Sequence, residues 1–584
     1  MTTRQTRIFV VIAVLIALTR LAAIAHSFFD WDEVLFMRGV LDYNVGLSPH
    51  PPGYPLFVLA AKGVHLLVAS EFRSLQTAVT AGAMLVFPAV AWLALELGLP
   101  FAVAISGAAL FAFLPNVWVY GGTALSDLPG AVAAIAASGL LLRGRRHPRA
   151  LVAGAALLGI AGGIRPASLL MGAVPAVFGA TAQLRARRFA AVATAIAIGG
   201  VIVFASYLGA ALGSTSVADY LDALRGQSQW VRDVDSFQSA TRPPLYEVAW
   251  TFLARPFGQW QQMTALLGLA LLSLIVAATQ RRTPPWLTLI TFLPIAIFSW
   301  LMLDVSTRGR YSIAYLPMHA LLAADGLAAL TLYRPRLFAG ASTVLIAAFA
   351  AWTWPAVRLQ AGSDSPPVAA MQWVGAHLPP SSVVYVQDAF RPHGFWQLQD
   401  YDLRIFKHPA EVPLLEEKSW VMDGEPAPSG VTFQWPHDQL WRVLRQRNFT
   451  VSVRESEQIR YLDGWYGREG RDTDTFRWMG RSGEITFPGS VKRGRLTIAF
   501  HLPPAILRAA PTIEVSFNGV VLDRLRPTEE ETTRAWVVLS RGAGDNELRL
   551  TTTATFSPAR EQPGNPDQRE LGLLLRAVFW AAEQ

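Results

Sequence analysis

The chain has no cysteine among its 584 residues. That excludes disulfides, a thiolate nucleophile and a cysteine-ligated metal, and it leaves the compartment open, since a cysteine-free protein suits either side of a membrane. A phosphate loop of the form G-x-x-x-x-G-K-[ST] is also missing, and the nearest glycine pairs, Gly121-Gly122 and Gly162-Gly163, are too short to replace it. Charge is sparse: 16% of residues are Asp, Glu, Lys or Arg, against 52% hydrophobic, with a mean hydropathy of +0.32. Those values are too apolar for a soluble protein and indicate a multi-pass membrane protein. The net charge of +8 does not call for nucleic acid, because much of the arginine lies in short loops between apolar runs, where the positive-inside rule accounts for it.

The apolar excess is confined to residues 1 to about 357; residues 361–584 read as water-soluble protein. The first run, Ile8 to Ala25, follows a leader carrying Arg4 and Arg7 and is read as a signal anchor, with a cleaved signal peptide as the alternative. Basic loops at Arg143–Arg149, Arg185–Arg188, Arg281-Arg282 and Arg334–Arg336 are then cytoplasmic. Five apolar runs separate the leader from Arg143, and an odd number of crossings would put that loop outside. Run 51–69 opens on prolines and carries Lys62 and His65, so it is expected to lie along the outer surface instead of crossing. The rest follows as about eleven spans, with Ala150 to Ala182 crossing twice in short passes around Pro166.

This topology gathers unusual residues on the outer side. They are Asp30, Asp32 and Glu33, then His50 and Tyr54 in His50-Pro51-Pro52-Gly53-Tyr54-Pro55, Asp127 in Leu125-Ser126-Asp127, Arg165 in Gly163-Ile164-Arg165-Pro166, and Arg308 and Arg310 in Arg308-Gly309-Arg310-Tyr311. Charges at a bilayer edge are costly against hydrocarbon, so they are expected to face a polar cavity, the usual mark of a functional site. Plainer readings stand beside this one: Asp127 has the position of a helix N-cap, Glu33 could pair with a neighbouring arginine, and Arg308 and Arg310 could anchor at the interface. Arg20, Asp42, Glu71 and Arg73 read as solvated or snorkelling charges. Arginine holds phosphate bidentately, and a phosphate at membrane depth is naturally a lipid head group. A carboxylate beside it could take the proton of an acceptor hydroxyl, which together describe group transfer from a lipid phosphate carrier without nucleotide.

Asp32-Glu33-Val34-Leu35-Phe36 resembles the Asp-Glu motif in the first outer loop of protein O-mannosyltransferases, and His50-Pro51-Pro52 is similar to the His-Pro-Pro segment that follows it there. Leu125-Ser126-Asp127 is similar to their second acidic motif, and Arg308-Gly309-Arg310-Tyr311 with Leu316-Pro317 resembles their late Arg-Tyr element. The family often has His after Asp-Glu-Val, where this chain has Leu35. The resemblance, over roughly residues 1–356, is to the GT-C superfamily of polyprenyl-phosphate-sugar glycosyltransferases. It implies Asp32 as catalytic base, with Glu33 and Asp127 as catalytic carboxylates positioning donor, acceptor or an ion; Arg165, Arg308 and Arg310 are expected on the donor phosphate from the chemistry of arginine. His50 and Tyr54 would position substrate. The only cofactor that the resemblance admits is a divalent metal ion on Glu33 or Asp127.

Past the membrane part, residues 357–460 alternate helical and strand-like pieces and suggest a small α/β unit; residues 461–584 carry short alternating strands with turns and suggest a β-sandwich. Trp465, Tyr466 and Trp478 could stack on sugar rings or belong to the sandwich core. The expected architecture is thus an α-helical multi-pass membrane domain of GT-C type, residues 1–356, followed by an outer-face soluble region. The expected function is transfer of a monosaccharide from a polyprenyl-phosphate donor to a hydroxyl of a glycan, lipid or protein, in a bacterial-type inner or plasma membrane. The competing readings are a transporter or flippase of a lipid-linked glycan and a non-catalytic glycan-binding membrane protein.

Overall fold

The computed structural model describes residues 1–257, 260–427, 429–436, 450–471, 474–489, 492–542 and 544–582. The chain divides into two compact units, residues 1–369 with 434–449, and residues 370–433 with 450–584.

The first unit is helical and makes this an integral membrane protein. Six described helices are long and apolar enough to cross a bilayer: Glu71–Glu96, Pro166–Arg185, Phe189–Leu212, Trp260–Thr279, Pro284–Met302 and Pro335–His377. A seventh arises if Arg308–Ala314 and Leu316–Leu330, bent by 65°, count as one span. This falls short of the about eleven spans expected from apolar runs. The difference lies in broken and short helices: the run 101–119 is split by Pro115 into Phe101–Ala112 and Pro115–Tyr120, and Pro148–Ile164 has 17 residues. A 12-residue helix such as Phe101–Ala112 rises only about 18 Å, short of a hydrocarbon core of about 30 Å.

Three N-terminal helices, of 19, 11 and 11 residues, flank the first loop. Helix α1 (Thr3–Leu21) opens on a capping box of Thr2 and Gln5. Helix α2 (Trp31–Leu41) opens on another, formed by Asp30 and Glu33, which satisfies amide groups that the helix start would leave unpaired. Helix α3 (Pro55–His65) starts at a proline, buries Phe57, Val58 and Ala61, and leaves Leu59 exposed with Leu66 and Leu67 just beyond its end. Arg20 departs from the snorkelling expectation: it is fully buried, donates from Nη1 to the Ala112 carbonyl at 2.9 Å, and lies over Phe113 and Trp118. Arg73 is likewise engaged, donating to the Ala25 and His26 carbonyls and to Gln76.

The second unit is rich in strands. Its first sheet runs β2-β1-β3-β5-β4, from β1 (Val383–Gln387), β2 (Asp402–Phe406), β3 (Ser419–Asp423), β4 (Val431–Gln434) and β5 (Thr450–Glu455). The β1 pairings with β2 and β3 are parallel, and all three central residues of β1 are buried, as a strand covered on both faces requires. Two further five-stranded sheets follow. One is β13-β10-β15-β8-β7, from β7 (Trp465–Arg471), β8 (Asp474–Met479), β10 (Arg493–His501), β13 (Glu531–Leu539) and β15 (Leu574–Ala582); the other is β12-β11-β14-β9-β6, from β6 (Arg460–Tyr461), β9 (Ser482–Pro488), β11 (Ile513–Phe517), β12 (Val520–Leu525) and β14 (Asp545–Thr552). Alternate residues of β9, β10, β11 and β14 are buried and share one core, including Ile485, Ile498, Phe500, Val515 and Leu550. Trp465 packs against that core and donates to the Glu484 carbonyl, Tyr466 donates to the Glu570 carbonyl, and Trp478 meets Phe556 edge to face.

Candidate active site around Arg310

Four segments far apart in sequence meet in one ionic cluster around Arg310. Arg310 contacts Asp30 Oδ1 through Nη1 at 3.4 Å and Asp127 Oδ2 through Nε at 3.0 Å, and its Nη2 pairs with Asp32 Oδ2. Arg165 closes the cluster from the other side, with Nη2 3.0 Å from Asp127 Oδ1 and Nη1 donating to Ser126 Oγ at 3.1 Å. Three carboxylates thus face two guanidiniums, and both Arg310 and Asp127 are buried.

Each member is held by its own element. Asp30 and Asp32 stand at the start of α2, where Asp30 Oδ1 accepts the Asp32 amide at 2.9 Å. Asp127 is the first residue of helix Asp127–Arg143; the residue before it, Ser126, makes no side-chain capping bond, and the Asp127 carboxylate goes to the arginines. Arg165 sits in extended backbone between Ile164 and Pro166. Asn116 secures the Arg310 turn, donating to the Gly309 carbonyl and Ser312 Oγ, both at 2.8 Å. His50 Nδ1 lies 3.6 Å from Asp32 Oδ1, while its Nε2 is 3.0 Å from the Tyr54 hydroxyl. Asp32, His50 and Tyr54 therefore form a line, and Arg165 covers the Tyr54 ring at 5.7 Å.

Two expected site residues stand apart from this cluster. Glu33 is fully buried and spends its carboxylate on backbone: Oε2 accepts the Phe29 and Asp30 amides at 2.7 and 2.9 Å, and Oε1 accepts the Ala124 amide at 2.8 Å. It ties the first loop to the segment leading into Asp127. Arg308 donates to the carbonyls of Arg255 at 3.0 Å and Val305 at 2.9 Å. Tyr311 was not singled out by the sequence, yet its ring is covered by both Arg165 and Arg310, at 5.6 and 5.4 Å. The signal was present in the Arg-Gly-Arg-Tyr run, since an arginine beside an aromatic invites cation–π stacking.

Burial pushes the Asp30 carboxyl up to about 6, against the pull of Arg310. For Asp32 burial acts in the same upward direction, but Arg310, His50 and Arg165 together overcome it and hold the group at about 2. Burial lowers His50, with Asp32 opposing and the two arginines adding to the shift, so its imidazole is neutral near pH 7. Glu33 is raised to about 7 by burial, against its backbone hydrogen bonds.

A divalent metal fits this donor set poorly. Glu33 is committed to three amides and Asp127 to two arginines, and among the described residues no group of three or more His, Asp or Glu is arranged to hold an ion. The cavity behind Asp127, Arg165 and Arg310 measures about 20 Å³, space for a water and not for a sugar.

No protein-family model matches the chain, and no curated protein is found similar to it. Among solved structures it is similar to the oligosaccharyltransferase of Archaeoglobus fulgidus, at 14% identity and a TM-score of 0.41 over 68% of this chain. The chain spans 62% of that protein's length. It is similar to ArnT from Cupriavidus metallidurans, solved bound to undecaprenyl phosphate, at 13% identity and a TM-score of 0.46, covering 78% of this chain and 98% of that one. Arabinosyltransferase EmbB from Mycobacterium smegmatis is a third, at 12% identity and a TM-score of 0.38, covering 98% of this chain and 64% of that one. With every TM-score below 0.5, these likenesses do not fix the function of this chain.

Proposed function

We propose that this protein is a membrane glycosyltransferase of GT-C type, moving a monosaccharide from a polyprenyl-phosphate donor to an acceptor hydroxyl on the outer face of the membrane. The observation that carries the reading is the buried junction of Arg310 with Asp30, Asp32 and Asp127, closed by Arg165. In this reading the donor phosphate displaces carboxylates from Arg310 and Arg165, exchanging one charge-assisted pairing for another. The exchange also frees Asp32. While Arg310 holds it, that carboxylate is a weak base; once the phosphate draws the guanidinium away, its proton affinity rises toward the useful range.

The step is then a single displacement with inversion. The acceptor oxygen forms its bond to the anomeric carbon, its proton passes to Asp32, and the bond from that carbon to the phosphate oxygen breaks. The electron pair leaves on the polyprenyl phosphate, where Arg165 and Arg310 stabilise the growing charge. His50 and Tyr54 orient Asp32, and Glu33 and Arg308 hold the surrounding backbone.

The test is turnover of labelled polyprenyl-phosphate sugars by the purified protein and by Asp32→Asn. The expected outcome is a loss of about a hundredfold or more with donor binding retained; an unchanged rate removes Asp32 as base. A transporter of a lipid-linked glycan would move the labelled lipid across a vesicle without consuming it, and that result would replace the transferase reading.

A further inference from the structure

The second unit holds a cavity of about 350 Å³ that is separate from the Arg310 cluster. Its volume is that of a small-molecule site, typically about 300–1,000 Å³. One wall is the β1–β2 edge, with Tyr385 and Arg404; a second is the connector around Glu416 and Glu417; a third comes from β6, β7, β8 and β15, with Arg468 and Arg477.

The walls are made of ion pairs. Arg477 grips Glu416 through Nη2 at 2.7 Å and Nε at 3.0 Å, Arg468 pairs with Glu417, and Arg404 reaches Asp402 at 2.8 Å and the Tyr385 hydroxyl at 3.2 Å. Aromatic rings back the guanidiniums, with Arg477 over Tyr461 at 4.8 Å and Arg404 over Tyr385 at 5.7 Å. A guanidinium fixed in this way keeps unused N–H groups, and its carboxylate partner keeps unused lone pairs. The cleft therefore offers donors and acceptors side by side in fixed directions. Vicinal sugar hydroxyls, each of which donates and accepts at once, match that alternation. Each lining guanidinium already faces a carboxylate, Arg404 with Asp402, Arg468 with Glu417, Arg477 with Glu416 and Arg576 with Glu531, so the walls hold little net charge for an ionic ligand to answer, while an apolar ligand would strand the polar walls.

We propose that this cleft binds a neutral oligosaccharide. The inference stands on the cleft alone and does not require the first unit to be a transferase. Its test uses the full chain in lipid nanodiscs, titrated into fluorescently labelled trisaccharides of glucose, mannose, galactose and arabinose, with trigalacturonate as the acidic comparator. The expected result is saturable binding of at least one neutral trisaccharide and none of trigalacturonate. Arg477→Ala should weaken that binding roughly tenfold, the loss of one charge-assisted hydrogen bond. Because Arg477 also braces the walls, Arg468→Gln and Glu417→Gln at the more exposed pair serve as second variants, each checked for an unchanged unfolding transition. No neutral trisaccharide bound at millimolar concentration, preference for trigalacturonate, or wild-type affinity in all three variants overturns the proposal.

Discussion

One guanidinium, that of Arg310, answers three carboxylates, so its removal leaves more buried negative charge than Arg165 can balance. Breaking such a buried network costs about 3–5 kcal/mol, and Arg310→Ala should lower the unfolding midpoint accordingly in a detergent thermal melt. Arg310→Lys should recover only part of the loss, because an ammonium is a single compact nitrogen and cannot reach the three carboxylates that Nε, Nη1 and Nη2 of the guanidinium meet separately. The two aspartates at the start of α2 respond to pH in opposite senses. Asp32, held at about 2 against an ordinary 3.8, adds stability that is present above pH 3.8 and is lost as pH falls toward 2. Asp30, raised to about 6, favours its neutral form in the fold, so stability declines as pH rises from 3.8 to 6. Asn serves as well as Asp at an N-cap. Asp30→Asn should therefore keep α2 intact while flattening the wild-type loss between pH 4 and about 6, read as unfolding midpoints across that range; an equal slope in both proteins would contradict the placement of Asp30 in the cluster.

At the scale of elements, local patterns were legible and pairings across the chain were not. Helical runs could be read from apolar stretches, but their breaks could not: Pro115 splits one run, and several apolar helices are short. Asp30 and Glu33 stand three apart, the spacing of a capping box, and that signal explains the Glu33 hydrogen bonds better than a catalytic reading does. Arg308 and Arg310 looked equivalent in sequence, yet residues two apart on a helical turn do not share a side. One therefore points to the Arg255 and Val305 carbonyls and the other to the aspartates. Charge parity could place Asp32, Asp127, Arg165 and Arg310 on a common side, but nothing local in the sequence encodes which arginine meets which aspartate across 278 positions. Gly53 in the His-Pro-Pro-Gly-Tyr-Pro loop carries a constraint that can be tested. Its φ is +99°, and a Cβ there would lie 2.6 Å from the Tyr43 hydroxyl and 2.7 Å from Val45. Gly53→Ala should cost about 1–3 kcal/mol and, by shifting His50 and Tyr54, reduce donor turnover more than donor binding; wild-type turnover with normal stability would show that the loop is not coupled to the site.

For the whole molecule, the missing cysteines make sidedness directly measurable. Any cysteine introduced into this chain is the only one present, so labelling by a membrane-impermeant maleimide in sealed vesicles of known orientation reports a single position. His147 lies in a basic loop that the positive-inside rule assigns to the cytoplasm, Ser228 in the long segment between Phe189–Leu212 and Trp260–Thr279, and Gln562 in the second unit; all three are exposed. Gly63, on α3, is the informative fourth position, since a Cβ added there meets nothing within 4 Å. If α3 lies along the outer surface, as expected from the sequence, Gly63→Cys, Ser228→Cys and Gln562→Cys react from the outside, whereas His147→Cys reacts only after permeabilisation. Gly63→Cys labelling with His147→Cys would make α3 a crossing element and overturn the expectation that run 51–69 lies along the outer surface. The orientation of this one short helix is therefore decided by a single cysteine on it.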